Sequence, residues 1–150
     1  EWGGESEAVS ACCALHPVSN LIGIGEGLDP DAVAAHDSES SPEALLVNGV
    51  SFTGRGDGPI VSVPEKAEAA GLLIHKPADV KAPPFLLIHG TADRMVSPAQ
   101  SAHMAELLKE AHVPFRYYLL EGIDHSSDPA WYQEPICYLI VKFFEKKLGD

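Results

Sequence analysis

Positive charge is what this chain has least of. Ten Lys and Arg stand against 22 Asp and Glu in 150 residues, a formal net charge of −12 with His neutral. Such a surface repels phosphate, so no nucleic acid and no anionic membrane is expected as a partner. Cysteine is scarce as well. Cys12, Cys13 and Cys137 form neither a disulfide framework nor a metal-ligand spacing, and they read as buried free thiols. No apolar run approaches the roughly 18 residues that a membrane-spanning helix needs. No basic segment followed by an apolar one opens the chain as a signal peptide would, but the chain does not begin on Met, so its location stays undecided. A Gly-rich phosphate loop is missing too, which argues against a nucleotide cofactor. His16, His36, His75 and His89 show no ligand spacing with a carboxylate or thiol, so no metal is expected.

The composition that remains suits one soluble globular domain: 45% of the residues are hydrophobic. A chain of this length can bury roughly 70% of its unfolded surface. Residues 8–16, Ala-Val-Ser-Ala-Cys-Cys-Ala-Leu-His, form a nearly continuous apolar run that stops at Pro17. That suits a strand buried on both faces of a parallel sheet, and a short helix fits the same run. Between 20 and 62 the pattern dissolves into Gly, Pro, Asp and Ser, which predicts an irregular lid or insertion. Inside or beside it, residues 41–47 offer one or two helical turns with Ser41 as N-cap and Pro42 at N1, and residues 64–70 offer another. The triplet within Gly54-Arg55-Gly56-Asp57 reads as a Gly-rich turn.

The last third is clearer. Phe85–His89 is a buried strand. Ser97-Pro98-Ala99-Gln100 reads as a capping box, and Met104, Leu107, Leu108 and Ala111 then repeat at helical spacing as one apolar stripe. Pro114 follows the helix end, and Phe115–Leu120 is the next strand. Asp128-Pro129 opens a second helical region, with Pro135 marking a kink or a fresh start. Its expected core face is Ile136, Ile140, Phe143, Phe144 and Leu148, with Lys142, Lys146 and Lys147 near its negative end.

Two residues stand in positions that carry chemistry. Asp93 follows the run Pro-Phe-Leu-Leu-Ile-His-Gly-Thr-Ala at 84–92, and His125 follows Phe-Arg-Tyr-Tyr-Leu-Leu-Glu-Gly-Ile-Asp at 115–124. A strand, an acid, a helix, a strand and a histidine make a right-handed crossover with parallel neighbours. Both side chains then fall at carboxyl ends of adjacent strands, where open α/β sheets place their sites. An acid followed by a histidine in that order is the back half of a Ser…Asp…His relay. The imidazole needs a carboxylate to fix its tautomer and to stabilise the imidazolium.

Residues 83–125 resemble the C-terminal half of lipase- and esterase-type α/β-hydrolases. The nearest branch in resemblance holds acetylxylan- and feruloyl-esterase-like carboxylesterases and prolyl-peptidase-like domains. Ala14–Leu21 and Ser41-Pro42-Glu43 resemble weaker family stretches. The resemblance implies a three-layer fold with a mostly parallel sheet, and a serine-type hydrolase of short-chain acyl esters. It makes Asp93 the charge-stabilising acid and His125 the general base. A small-molecule ester is then the expected partner, and no cofactor is needed.

The departure from the family is as informative. No Gly-x-Ser-x-Gly occurs in the sequence, nor does a His-Gly-Gly oxyanion segment. The resemblance places the nucleophile elbow ahead of the 8–16 run, so the chain is expected to be a partial domain. Ser6, within Gly4-Glu5-Ser6-Glu7-Ala8, is a weak substitute with no strand before it and flanking carboxylates that would oppose an oxyanion. Ser126 and Ser127 adjoin His125 but fall outside the family order. Strand 8–16 would pair in the family with the nucleophile strand, so a homodimer through this strand is expected. The reading from another class is a non-catalytic hydrolase remnant acting as an association module, and a peptidase of the same fold is a third.

Overall fold

A computed structural model describes residues 9–21, 23–38, 40–43 and 82–149. Its elements in chain order are β1 (Cys12–Leu15), α1 (Pro30–His36), β2 (Phe85–Gly90), α2 (Pro98–Glu110), β3 (Phe115–Leu120) and α3 (Glu134–Leu148). A short 3-10 turn, Pro129–Tyr132, precedes α3. The three strands form a parallel sheet in the order β1-β2-β3. Cys12 is in register with Phe85, and Phe85 with Phe115.

Alternation along β2 builds the two cores. Leu86 and Ile88 project to one face and meet Trp131, Ile136 and Phe143. Leu87 projects to the other and meets Met104, Ala105, Leu108 and Val113. Helix, sheet and helix are therefore three layers, as expected of an α/β fold. Leu86, Leu87 and Ile88 are fully buried, a placement worth about 1.5–3 kcal/mol for each side chain. Burial on both faces explains why this run shows no polar alternation in the sequence.

Several local expectations need correction. The first strand is Cys12–Leu15 and not 8–16. Val9 and Ser10 are exposed, and His16 turns the chain out of the sheet with φ +38°. The 20–62 segment is not irregular throughout, because Asp29-Pro30 starts α1. The Asp29 carboxylate accepts from the Asp31 and Ala32 amides at 3.1 and 3.0 Å, and Pro30 supplies a helical φ. The capping box of α2 is half made: Ser97 Oγ accepts from Ala99 N, but the Gln100 side chain leaves the helix. Its Oε1 accepts from the amides of Ser19 and Asn20 instead, at 2.9 and 2.7 Å. Leu148 is exposed, and Leu139 takes the place expected of it in the core. Cys12 and Cys13 are half-buried and Cys137 is exposed, so the thiols are free but not all buried. The helical turn expected over 41–47 is described only to Glu43, and the one at 64–70 and the Gly-Arg-Gly-Asp turn lie outside the described residues.

The loops after β2 and β3 are sewn to each other. Thr91 N donates to Leu120 O and Ala92 N to Ile123 O, while Gly122 N donates to Thr91 Oγ1. Gly90 makes this possible, since a Cβ there would stand 2.1 Å from the Ile123 carbonyl oxygen. Gly90→Ala should push the two loops apart and lower stability by about 1–3 kcal/mol. Urea denaturation of the two proteins checks this, and an unchanged midpoint would contradict the close approach.

Candidate active site

The acid loop begins where β2 ends. Asp93 is 4% exposed and is the only residue in its turn that faces inward with a charge. Its Oδ1 accepts from the amides of Met95 and Val96 at 2.9 and 2.8 Å, so the side chain folds back over its own loop. That bond pattern leaves Oδ2 free to face the next strand. His125 Nδ1 donates to it at 2.7 Å. The two residues singled out in the sequence are thus brought together, 32 positions apart in the chain.

A second imidazole, which the sequence reading passed over, completes the carboxylate's surroundings. His89, at 0% exposure, points from β2 toward α2. Its Nε2 donates to Val96 O at 2.9 Å and lies 3.3 Å from Asp93 Oδ2. Its Nδ1 accepts from the hydroxyl of Ser101 in the first turns of α2. The carbonyl partner fixes the proton on Nε2, so His89 buttresses the carboxylate and the loop together. The i to i+4 spacing of His89 and Asp93 was the available signal.

Burial is the largest single influence on Asp93, and it favours the neutral acid. The bonds from His89, Val96, His125 and Met95 together outweigh it and hold the carboxyl well below the usual carboxylate range. The group is therefore an anion at every ordinary pH. In the neutral ring, an Nδ1–H given to that anion leaves the lone pair on Nε2.

The His125 loop is held on its other side by acids and an indole. Asp124 Oδ1 accepts from the amides of His125 and Arg94 at 2.7 and 3.1 Å, tying the Asp93 and His125 loops once more. Asp128 caps the 3-10 turn through Ala130 N and accepts from Asp124 N. Trp131 Nε1 donates to Asp124 O at 2.8 Å. Ser126 and Ser127 are exposed, and the Ser126 carbonyl accepts from the Tyr132 hydroxyl at 3.1 Å. Ser6 lies outside the described residues.

His16 was also passed over in the sequence. From the end of β1 its ring lies 4.0 Å from that of His125, centroid to centroid. Three consecutive sheet strands therefore send an imidazole or carboxylate to one end of the sheet. Among the described residues no group of three His, Cys, Asp or Glu is placed to hold a metal ion. No helix among them is long and apolar enough to cross a membrane. A cavity of about 500 Å³ lined by Pro84, Phe85, Pro114, Arg116 and Phe143 opens at the opposite end of β2 and β3, away from this chemistry.

With this geometry in place, comparison with known proteins is consistent. Residues 61–150 match the prolyl oligopeptidase family. No curated protein sequence matches the chain. Among solved structures, a truncated carbohydrate esterase from gut microbiota is similar at TM-score 0.70 and 19% identity, over 95% of this chain and 44% of its own. The acylaminoacyl peptidase of Pyrococcus horikoshii is similar at TM-score 0.62 and 18% identity, over 95% of this chain and 21% of its own. An acetyl ester-xyloside bifunctional hydrolase from Caldicellulosiruptor lactoaceticus follows at 0.55 and 19%, over 91% of this chain and 42% of its own. The chain thus spans less than half the length of each, and these likenesses establish the α/β-hydrolase fold.

The depressed pKa of Asp93 has a consequence for stability. An anion favoured by the folded state contributes its full stabilisation above the unfolded-state value, about 3.9. That contribution is lost as pH falls through the lower folded value. The stability gap between the native chain and Asp93→Asn should be widest near neutrality and close below about pH 4. Chemical denaturation across pH 7 to 2 measures it, and a gap that ignores pH would refute the assignment.

Proposed function

Because the chain belongs to the prolyl oligopeptidase family, with the α/β-hydrolase fold, we propose that it carries the acid and base of a serine-type carboxylic-ester hydrolase. One observation supports this above the others: Asp93 Oδ2 accepts from His125 Nδ1 at 2.7 Å while its other oxygen is saturated by two amides. In this reading His125 Nε2 takes the proton from a serine hydroxyl as that oxygen attacks an acyl carbon. His125 then returns the proton to the leaving alcohol, and water repeats the sequence to release the acid. Asp93 orients the ring and stabilises the imidazolium without being protonated itself.

The serine and its oxyanion donors are assigned to sequence outside the described residues, since no Gly-x-Ser-x-Gly is found. Short acyl esters are the proposed substrates, in keeping with the carbohydrate esterase and the acetyl ester-xyloside hydrolase among the similar structures. The same reading takes residues 1–150 as part of one α/β-hydrolase domain, with 20–62 as a lid or insertion beside its site. Contacts of α1 support that placement: His36 Nε2 donates to Met95 O at 2.6 Å, and Arg94 pairs with Asp29 at 2.9 Å.

The test is ester hydrolysis and fluorophosphonate labelling. In the natural gene product, His125→Ala and Asp93→Asn should each lower short-chain ester turnover by about four orders of magnitude. Undiminished turnover in His125→Ala would overturn the proposal. The 150-residue chain alone should turn over little ester. Robust activity in it, lost with Ser6→Ala or Ser126→Ala, would place the nucleophile at that serine. A peptide amide cleaved in preference to the ester would move the reading to a peptidase.

A separate observation favours an association role beside or instead of catalysis. Among the described residues β1 pairs only with β2, which leaves its other side a row of backbone donors and acceptors. Two copies joined there across a two-fold axis would continue the sheet, the contact being antiparallel. Multi-angle light scattering at micromolar concentration should show a dimer. A monodisperse monomer with slow amide exchange at Cys13 would exclude it.

A further inference from the structure

We propose that His16 is a positioning residue for the general base, whose ring walls in the His125 imidazole and keeps it turned toward Asp93. This rests on the reading of Asp93 and His125 as acid and base. The geometry comes first. The His16 and His125 rings stand 4.0 Å apart at an interplanar angle of 47°, close enough to block rotation of His125 through that space. Behind His16 the Trp131 ring makes an edge contact at 5.2 Å and 83°. Trp131 is itself 5% exposed and tied to the Asp124 carbonyl, so the wall has a fixed backing.

The backbone is turned so as to deliver the ring. His16 N donates to Ile88 O at 2.8 Å, continuing the β1–β2 ladder by one residue. The chain then bends at φ +38°, in the left-handed region that favours glycine. A glycine would fit that bend with less strain and would leave the face of His125 bare. His112 adopts a similar φ of +55° at the end of α2, so the bend alone assigns no role; what sets His16 apart is the contact of its ring with His125.

The charge balance is consistent with a wall that stays neutral while its neighbour cycles. The titratable groups facing His16 are His125 from the loop after β3, Asp93 from the acid loop and His89 from β2. Burial and then His125 push the His16 imidazole below its ordinary pKa; Asp93 raises it and His89 lowers it further. Both leading influences thus disfavour a charge on His16 next to His125. A lysine or arginine in this position would repel the imidazolium that the relay has to form.

Imidazole NMR on the native chain and on His16→Gly and His16→Phe tests this. The native Nδ1–H of His125 should be protected from exchange through its bond to Asp93. In His16→Gly, which also relaxes the bend, that proton should exchange at least tenfold faster while the melting temperature holds or rises. In His16→Phe, whose ring restores the wall, the protection should return. In the complete enzyme kcat for His16→Gly should fall about 10- to 100-fold with KM little changed, as expected of a misplaced base. Protection of the His125 Nδ1–H that is the same in all three proteins would overturn the role of His16. The NMR result stands apart from ester turnover, so the failure of His125→Ala to reduce activity would count against the catalytic reading alone.

Discussion

The Asp93 carboxylate is the constraint on which the described structure turns. A buried anion without partners would cost several kcal/mol, so the fold around it must present donors from several directions. Met95 and Val96 supply amides from its own loop, His125 an Nδ1–H from the next strand, and His89 an Nε2–H from the strand beneath. Each donor requires its own element to be in register. Shifting β3 by one residue against β2 would turn every side chain to the opposite face, and the same displacement would carry the His125 loop out of reach. The Gly90 contact with Ile123 fixes that registration at the point where the loops leave the sheet.

Much of this was legible in the sequence, and for identifiable reasons. Phe85–His89 and Phe115–Leu120 could be read as strands because apolar runs bounded by Pro and Gly have few other folds, and the order of Asp93 and His125 followed from chain direction in a parallel sheet. His89 and His16 escaped notice for opposite reasons. His89 looked like a residue of the strand itself, and its partners, Ser101 and Val96, become neighbours only when α2 packs on the sheet. His16 depends on a left-handed bend and a contact across 109 positions, neither of which leaves a periodic trace. The α1 helix was missed although Asp29-Pro30 is an ordinary start signal, because its seven residues are too few to show a period.

The 20–43 segment illustrates how polar side chains replace a core where apolar ones are few. Gln100 leaves its helix to bind Ser19, Asn20 and the Gly23 carbonyl, and Ser19 Oγ shares a hydrogen bond with His103 Nδ1 at 3.0 Å. Ser19 is 1% exposed, and its hydroxyl donates to the Gln100 carbonyl at 2.8 Å. The serine is thus buried with its proton given to a backbone carbonyl, while His103 is exposed, so the two make a structural contact. The network anchors the segment on α2, while His36 and Arg94 anchor it on the acid loop. A segment with little periodicity is in this way docked beside the site by hydrogen bonds at both of its described ends.

The identity of the donors around Asp93 also bears on the chemistry. Arg94 is the next residue in the chain, yet its guanidinium pairs with Asp29 at the surface and is 69% exposed. A guanidinium on Asp93 would neutralise the anion permanently, in competition with the imidazolium that the proposed relay would form at His125. Imidazoles and amides satisfy the carboxylate's lone pairs without a fixed positive charge, so the anion keeps its full field for His125. The wall proposed for His16 follows the same logic, since burial and the neighbouring His125 hold its imidazole below its ordinary pKa. In the proposed relay, the charge formed by proton uptake at His125 would then lie directly opposite the Asp93 anion, across a 2.7 Å hydrogen bond.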